Sequence, residues 1–223
     1  MAHKLLFVDD EPAVLDGYRR ILHRDFELDL AYSGTQALTL IQRKGPYSVI
    51  ITDMRMPSMS GTLLLAEVRD RAPDTFRILL TGYAELSAAI DAINRGYIFR
   101  FLTKPCSPET LLETLTAATL QYDLVTAEKE LLEKTLMGSI KLLADLLSAA
   151  NPEAFGRSLR ITACVRHIVG KFIYPAVWRL EAAASLSQLG GITLDTHLIQ
   201  HAYKNLDLTP DEQQRYSAHP TLP

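Results

Sequence analysis

Apolar positions along the first hundred residues fall into short bounded runs that alternate with longer periodic stretches. Lys4-Leu5-Leu6-Phe7-Val8, Val49-Ile50-Ile51-Thr52, Phe76-Arg77-Ile78-Leu79-Leu80 and Ile98-Phe99-Arg100-Phe101-Leu102-Thr103 are the short runs. Such runs predict strands buried on both faces of a sheet. Phe26 to Ala31 alternates instead, with Phe26, Leu28 and Leu30 set against Glu27 and Asp29, and predicts a fifth strand. Helical spacing lies between them. Val14, Leu15, Tyr18, Ile21 and Leu22 share one face behind Pro12, which a first helical turn tolerates. Ser33-Gly34 leads into a helix over Gln36 to Arg43, closed by Gly45-Pro46. Further helices are predicted from Gly61 to Arg71, stopped by Pro73, and from Glu85 to Asn94, closed by Arg95-Gly96. Strands alternating with helices at this length predict an α/β domain, a doubly wound five-stranded parallel sheet over residues 1–120.

From Ser107 the pattern changes. Leu111, Leu115, Ala118, Tyr122, Val125, Leu132 and Leu136 recur in steps of four and three, with Lys129 interrupting. This heptad-like seam predicts a helix over 107–137 that outgrows its domain by about four turns, a length suited to a stalk between two protomers. Beyond Gly138 the chain reads as all-helical. Ile140 to Ala150, Asn151-Pro152 through Arg157 to Phe172, Pro175 to Leu189, Asp195 to Asn205 and Pro210 to about Ala218 are the predicted helices, with a turn at Gly190-Gly191. Residues 138–223 are therefore expected to form a smaller all-α module.

The strands share a second property: each ends in chemistry. The first runs into Asp9-Asp10, the third into Asp53, the fourth into Thr81-Gly82 and the last into Lys104-Pro105. In an open parallel sheet the carboxyl ends of the strands are where ligands bind. Three acids, a hydroxyl and a lysine converging there suit phosphoryl transfer to a carboxylate. Together with Met56-Pro57 and Gly61, these residues, in this order, resemble the receiver domain of two-component response regulators, the CheY-like, flavodoxin-like fold.

That resemblance implies specific roles. Asp53 would be the phosphoacceptor, forming an acyl phosphate. Asp9, Asp10, Asp53 and the backbone carbonyl of Arg55 would bind Mg2+, a hard cation that offsets the repulsion between carboxylate and phosphoryl group. Lys104 would pair with a phosphoryl oxygen. Its bond to Pro105 is usually cis in the family. Thr81 would donate its hydroxyl, and Phe101 would be the switch aromatic that turns inward when the threonine moves. The implied phosphodonor is a histidine kinase. The surface to be remodelled is the fourth helix, the last strand and the long helix, with a homodimer through the long helix as one consequence.

The second half is similar, more distantly, to HD-type phosphohydrolases of the receiver-linked branch that hydrolyses cyclic di-GMP. The framework matches at Arg157-Ser158-Leu159-Arg160-Ile161, at Leu186-Ser187-Gln188-Leu189-Gly190-Gly191 and at His219-Pro220. The departures fall on the ligands. Arg157 replaces the first histidine, and Ser187-Gln188 replaces the His-Asp pair, which removes the bridging carboxylate. Glu153 and His219 stand at ligand-matching positions but are too few to hold a metal. The expected module is thus HD-like, incomplete, free of transition metal and not an enzyme, available instead to a protein partner. His197 and His201, four apart on one helix face, lack a third ligand nearby and are expected in surface or packing roles.

Composition narrows the partners. Across 223 residues the net charge is -3, with 48% hydrophobic residues. Such a chain has no general electrostatic attraction to nucleic acid or anionic membrane. Residues 137–223 hold eight Lys/Arg against seven Asp/Glu, so a DNA-binding helix-turn-helix around Gly190-Gly191 lacks a basic footprint. Met1-Ala2-His3-Lys4 runs straight into a strand, and no apolar run reaches the roughly 20 residues of a bilayer span. Cys106 and Cys164 form no CxxC pair and are expected as reduced thiols of a cytoplasmic protein. Two readings compete with a non-enzymatic signalling protein: an active cyclic di-GMP phosphodiesterase, and a DNA-binding output.

Overall fold

A computed structural model describes residues 3–82, 98–171, 177–204 and 206–218. The chain divides into two compact units, Met1–Lys129 and Glu130–Pro223. The first unit is built on a parallel sheet. Its strands are β1 (Lys4–Val8), β2 (Glu27–Ala31), β3 (Val49–Asp53), β4 (Phe76–Thr81) and β5 (Arg100–Thr103), in the order β2-β1-β3-β4-β5. Helices α1 (Pro12–Leu22), α2 (Gly34–Lys44) and α3 (Gly61–Arg71) alternate with the strands. The helix expected over Glu85 to Asn94 lies outside the described residues.

Successive residues of a strand point to opposite faces, and the apolar runs use both. Leu6, Val8, Ile50 and Leu79 pack with Ala37, Leu38, Leu64, Leu65 and Val68 of α2 and α3. Leu5, Phe7, Val49, Ile51, Ile78 and Leu80 pack on the other face with Leu15 and Leu22 of α1. Each fully buried leucine, isoleucine or phenylalanine contributes about 2 kcal/mol through water exclusion, so neither face can be left bare. Helix starts follow local chemistry. Ser33 caps α2 by accepting from the Gln36 N–H, and Ser60 caps α3 by accepting from the Leu63 N–H.

The long helix α4 runs over Pro108–Ala150 without a break. A helix end at Gly138 was the sequence expectation, and the structure corrects it. A mid-helix glycine costs only about 1 kcal/mol relative to alanine, and the surrounding leucines, lysines and alanines are strong helix formers. Within the first unit, Leu111, Leu115 and Ala118 of this helix complete the α1-side core. Lys129, which interrupts the seam, pairs with Asp74. Farther on, Leu131, Leu132, Leu136, Leu142 and Leu146 are exposed.

In the second unit, α5 (Pro152–Val169), α6 (Val177–Leu186), α7 (Thr196–Tyr203) and α8 (Pro210–Ala218) follow, with a 3-10 turn at Leu189–Thr193. Its core is small: Leu147, Ala154 and Ile199, backed by Phe155, Leu194 and Tyr203. Polar ties supplement it. Buried Asn151 caps α5 by accepting from the Ala154 N–H and donates to the Gly191 carbonyl at 3.3 Å. Arg166 forks onto Glu181 at 2.9 and 3.2 Å, joining α5 to α6. Thr209 and Glu212 cap each other's backbone at the start of α8, a capping box.

Candidate phosphoacceptor site

The strand order reverses direction between β1 and β3, which opens a crevice at their carboxyl ends. The register fills it. Val8 pairs with Thr52, Asp53 with Leu80 and Thr81 with Thr103. Asp9, Asp53, Thr81 and Lys104 therefore stand at or one residue beyond the ends of four adjacent strands. Asp9 is buried, and its carboxylate accepts from the Glu11 N–H at 2.9 Å and from Lys104 Nζ at 3.0 Å. Asp53 Oδ2 accepts from the Arg55 N–H at 2.7 Å, and Oδ1 pairs with the same Lys104. One ammonium thus bridges two carboxylates. Burial pushes the Lys104 amine down, but its bonds to Asp53 and Asp9 outweigh burial and hold it above its ordinary value. The Lys104–Pro105 peptide bond is cis.

The loop after Asp53 is pinned from both ends. Met56 inserts into the α2/α3-side core. Gly61 donates its N–H to the Met54 carbonyl at 2.9 Å. A Cβ at Gly61 would strike the Asp53 carbonyl oxygen, so only glycine allows α3 to start this close to the acid. Ser58 between them takes a positive φ of 68°, which closes the turn.

Thr81 is fully buried, with its hydroxyl 3.2 Å from Met54 Sδ and from the Gly82 carbonyl. Phe101 is half-buried against the α2/α3-side core. Asp10 is exposed. Two participants were not singled out in the sequence. Met54 touches the Thr81 hydroxyl. Tyr18 stacks on Phe7 at 4.4 Å and lies within the field of the acids; burial raises its phenol pKa, and Lys104 opposes the rise. Both looked like ordinary apolar positions, and only their place beside the strand ends distinguishes them.

Among the described residues, no three His, Cys, Asp or Glu side chains gather as a metal-binding set. The donors at the crevice do fit a hard divalent cation: they are carboxylate oxygens, two acids share one lysine, and Asp10 follows directly. In the second unit, the residues that the expected HD likeness singles out pair with neighbouring side chains. Arg157 lies over the Tyr203 ring at 4.4 Å, Gln188 accepts from the Tyr203 hydroxyl at 2.8 Å, and Glu153 accepts from Gln200 at 2.9 Å. Ser187 bonds the Ala184 carbonyl. His219 lies outside the described residues.

Comparison with known proteins points the same way for the first unit. The family described as response regulator receiver domain matches residues 5–116, just over half of the chain. The hydrogenase transcriptional regulatory protein HoxA of Cupriavidus necator is 34% identical over 160 residues, 70% of this chain and 33% of that protein. The chain spans a third or less of the length of the curated relatives it matches first. A crystal structure titled adenylate cyclase from Rhodopirellula baltica is 41% identical, covers 60% of this chain and 99% of its own, and superposes with a TM-score of 0.59. The receiver domain of an HD domain-containing protein from Pseudomonas fluorescens is 33% identical, covers 55% and 98%, and gives 0.52.

Proposed function

The chain belongs to the response regulator receiver family, and from that premise we propose that Asp53 accepts a phosphoryl group from a partner histidine kinase and that the signal leaves through α4. The observation that carries the assignment is the shared lysine: Asp9 and Asp53 converge on Lys104 at the carboxyl edge of the sheet. Asp53 attacks phosphorus while the bond from phosphorus to the kinase imidazole breaks and the imidazole takes up a proton. Asp9, Asp10, Asp53 and the Arg55 carbonyl would hold Mg2+, which neutralises charge between nucleophile and phosphoryl group. The Arg55 N–H, already bonded to Asp53, orients the carboxylate.

Once acylated, Asp53 carries its charge on phosphoryl oxygens farther from the strand end. Lys104 and the Thr81 hydroxyl then gain an anion to turn towards. Withdrawal of Thr81 from Met54 and Gly82 frees room for Phe101, next to which Leu102 packs with Leu111 and Leu115 of α4. Repacking at the strand end thereby reaches the long helix. Exposed Leu132 and Leu136 continue the seam, and Leu143 and Leu146 keep its step, which supports a homodimer through α4. The second unit acts as a non-catalytic, HD-like interaction module: Arg157, Ser187 and Gln188 offer no metal carboxylate, and their partners are already engaged. A kinase drawing on ATP places the protein in the cytoplasm, and no helix among the described residues is long and apolar enough to cross a membrane.

A second reading is favoured by the relatives. HoxA is named a transcriptional regulatory protein, so a DNA-binding output would lie in the part of such proteins that this chain does not span. The primary test is intact mass of the chain after incubation with acetyl phosphate and Mg2+, with sedimentation on the same samples. Wild type gains one phosphoryl group and changes its association state. An adduct retained by Asp53→Asn would sink the phosphoacceptor assignment, and unchanged sedimentation would sink the dimer route.

A further inference from the structure

The helical unit holds a concentration of charge that the phosphoacceptor reading does not use. A groove of about 680 Å³ is lined by Arg157, Arg160 and Cys164 of α5, Tyr203 of α7 and Tyr216 of α8. Arg157 and Arg160 are three apart on one helix and share a face. Among the described residues neither forms an ion pair with a carboxylate, whereas Arg166 on the same helix is clamped by Glu181. Arg157 rests on the face of Tyr203, 4.4 Å from its centroid, and the Tyr203 hydroxyl is anchored on Gln188. Burial raises the phenol pKa of Tyr203 while Arg157 opposes the rise, and the hydroxyl donates to Gln188. Two like charges on one face, Arg157 held against an aromatic ring and neither paired with an acid among the described residues, make a groove suited to an anion.

We propose that this groove binds a nucleoside phosphate, with Arg157 and Arg160 on the phosphate oxygens and the tyrosines against the base. Guanidinium groups present paired N–H donors that match phosphate oxygens, and aromatic rings stack on any base. The volume is in the range of small-ligand sites. The site is separate from the acid edge and stands whether or not Asp53 is phosphorylated.

The test is equilibrium fluorescence binding of mant-ATP and mant-GTP to the full chain in EDTA, which removes any metal-dependent binding at the acids. The expected result is saturable binding with a Kd of about 10 µM. Loss of the two charge-assisted contacts in Arg157→Gln/Arg160→Gln should weaken it by about tenfold or more. Arg160→Glu, at an exposed position that leaves the Arg157–Tyr203 contact in place, should do the same with an unchanged circular dichroism melt. Asp53→Asn should bind like wild type. No saturation of either probe up to about 1 mM would overturn the proposal. So would arginine variants that bind as well as wild type, or displacement by inorganic phosphate as effective as by unlabelled nucleotide.

Discussion

Asp29 on β2 and Asp53 on β3 are carboxylates in neighbouring parts of one sheet, and both meet lysine. Around Asp29 stand Lys4 at 3.4 Å, Lys44 at 3.1 Å and the Tyr47 hydroxyl at 2.7 Å. Around Asp53 stands Lys104, which must also serve buried Asp9. The first group has two acids, Asp29 and the more exposed Glu27 on Lys4, for two ammoniums and a phenol. The second has two acids for one ammonium, with a third acid next in the chain. The first is satisfied by its own residues and holds structure together. The second has negative charge to spare and is suited to a cation and a phosphoryl group. The count of partners around each acid, rather than the presence of an ion pair, separates scaffold from site.

The largest expected effect tests that surplus directly. Chelating Mg2+ with EDTA should reduce acetyl phosphate labelling of Asp53 to background, as read by phosphate-affinity gel, and leave the far-ultraviolet circular dichroism unchanged. Next is removal of the shared lysine. Lys104→Met leaves Asp9 buried with one donor fewer and should cost about 2 kcal/mol in metal-free urea unfolding. Because Mg2+ binds only the folded site, titrating it should restore more stability to this variant than to wild type. Equal Mg2+ responses would break the comparison.

Asp29→Asn should cost about 1 kcal/mol at pH 7. Burial works to raise the Asp29 carboxyl, but the bonds from Tyr47, Lys44 and Lys4 win and hold it below its ordinary value. A folded-state pKa below the unfolded value means stability that is present above about pH 4 and lost as pH falls through the folded value. The gap between wild type and Asp29→Asn in urea midpoint should therefore narrow as pH falls below about 4. The smallest effect is Lys44→Ala. Lys44 is half-exposed and Asp29 keeps two other partners, so its loss should cost less than about 0.5 kcal/mol.

Asp9, Asp53, Thr81 and Lys104 were legible in sequence because strands buried on both faces announce themselves, and a parallel sheet gathers whatever follows them on one edge. The scaffold was legible for the same reason, Gly61 to Arg71 being recovered to the residue. Met54 and Tyr18 were not, because a side chain's neighbour across the sheet edge leaves no mark on its own periodicity. Gly138 misled for a different reason: propensity assigns it a cost but not the strength of the helix on either side. In the second unit small residues such as Ala154 and Gly191 set the packing, and Gly191 sits where a Cβ would press on the Ala154 methyl. Patterns of large apolar residues say little about such contacts.

The unbroken α4 has a consequence for anyone who would splice this receiver to another module. With no loop to absorb an error, each residue added or removed within the helix advances everything after it by about 100°. A heptad returns it to within about 20°. Fusion junctions along Pro108–Ala150 should therefore be counted in sevens, so that a chimera keeps its rotational phase whatever its length.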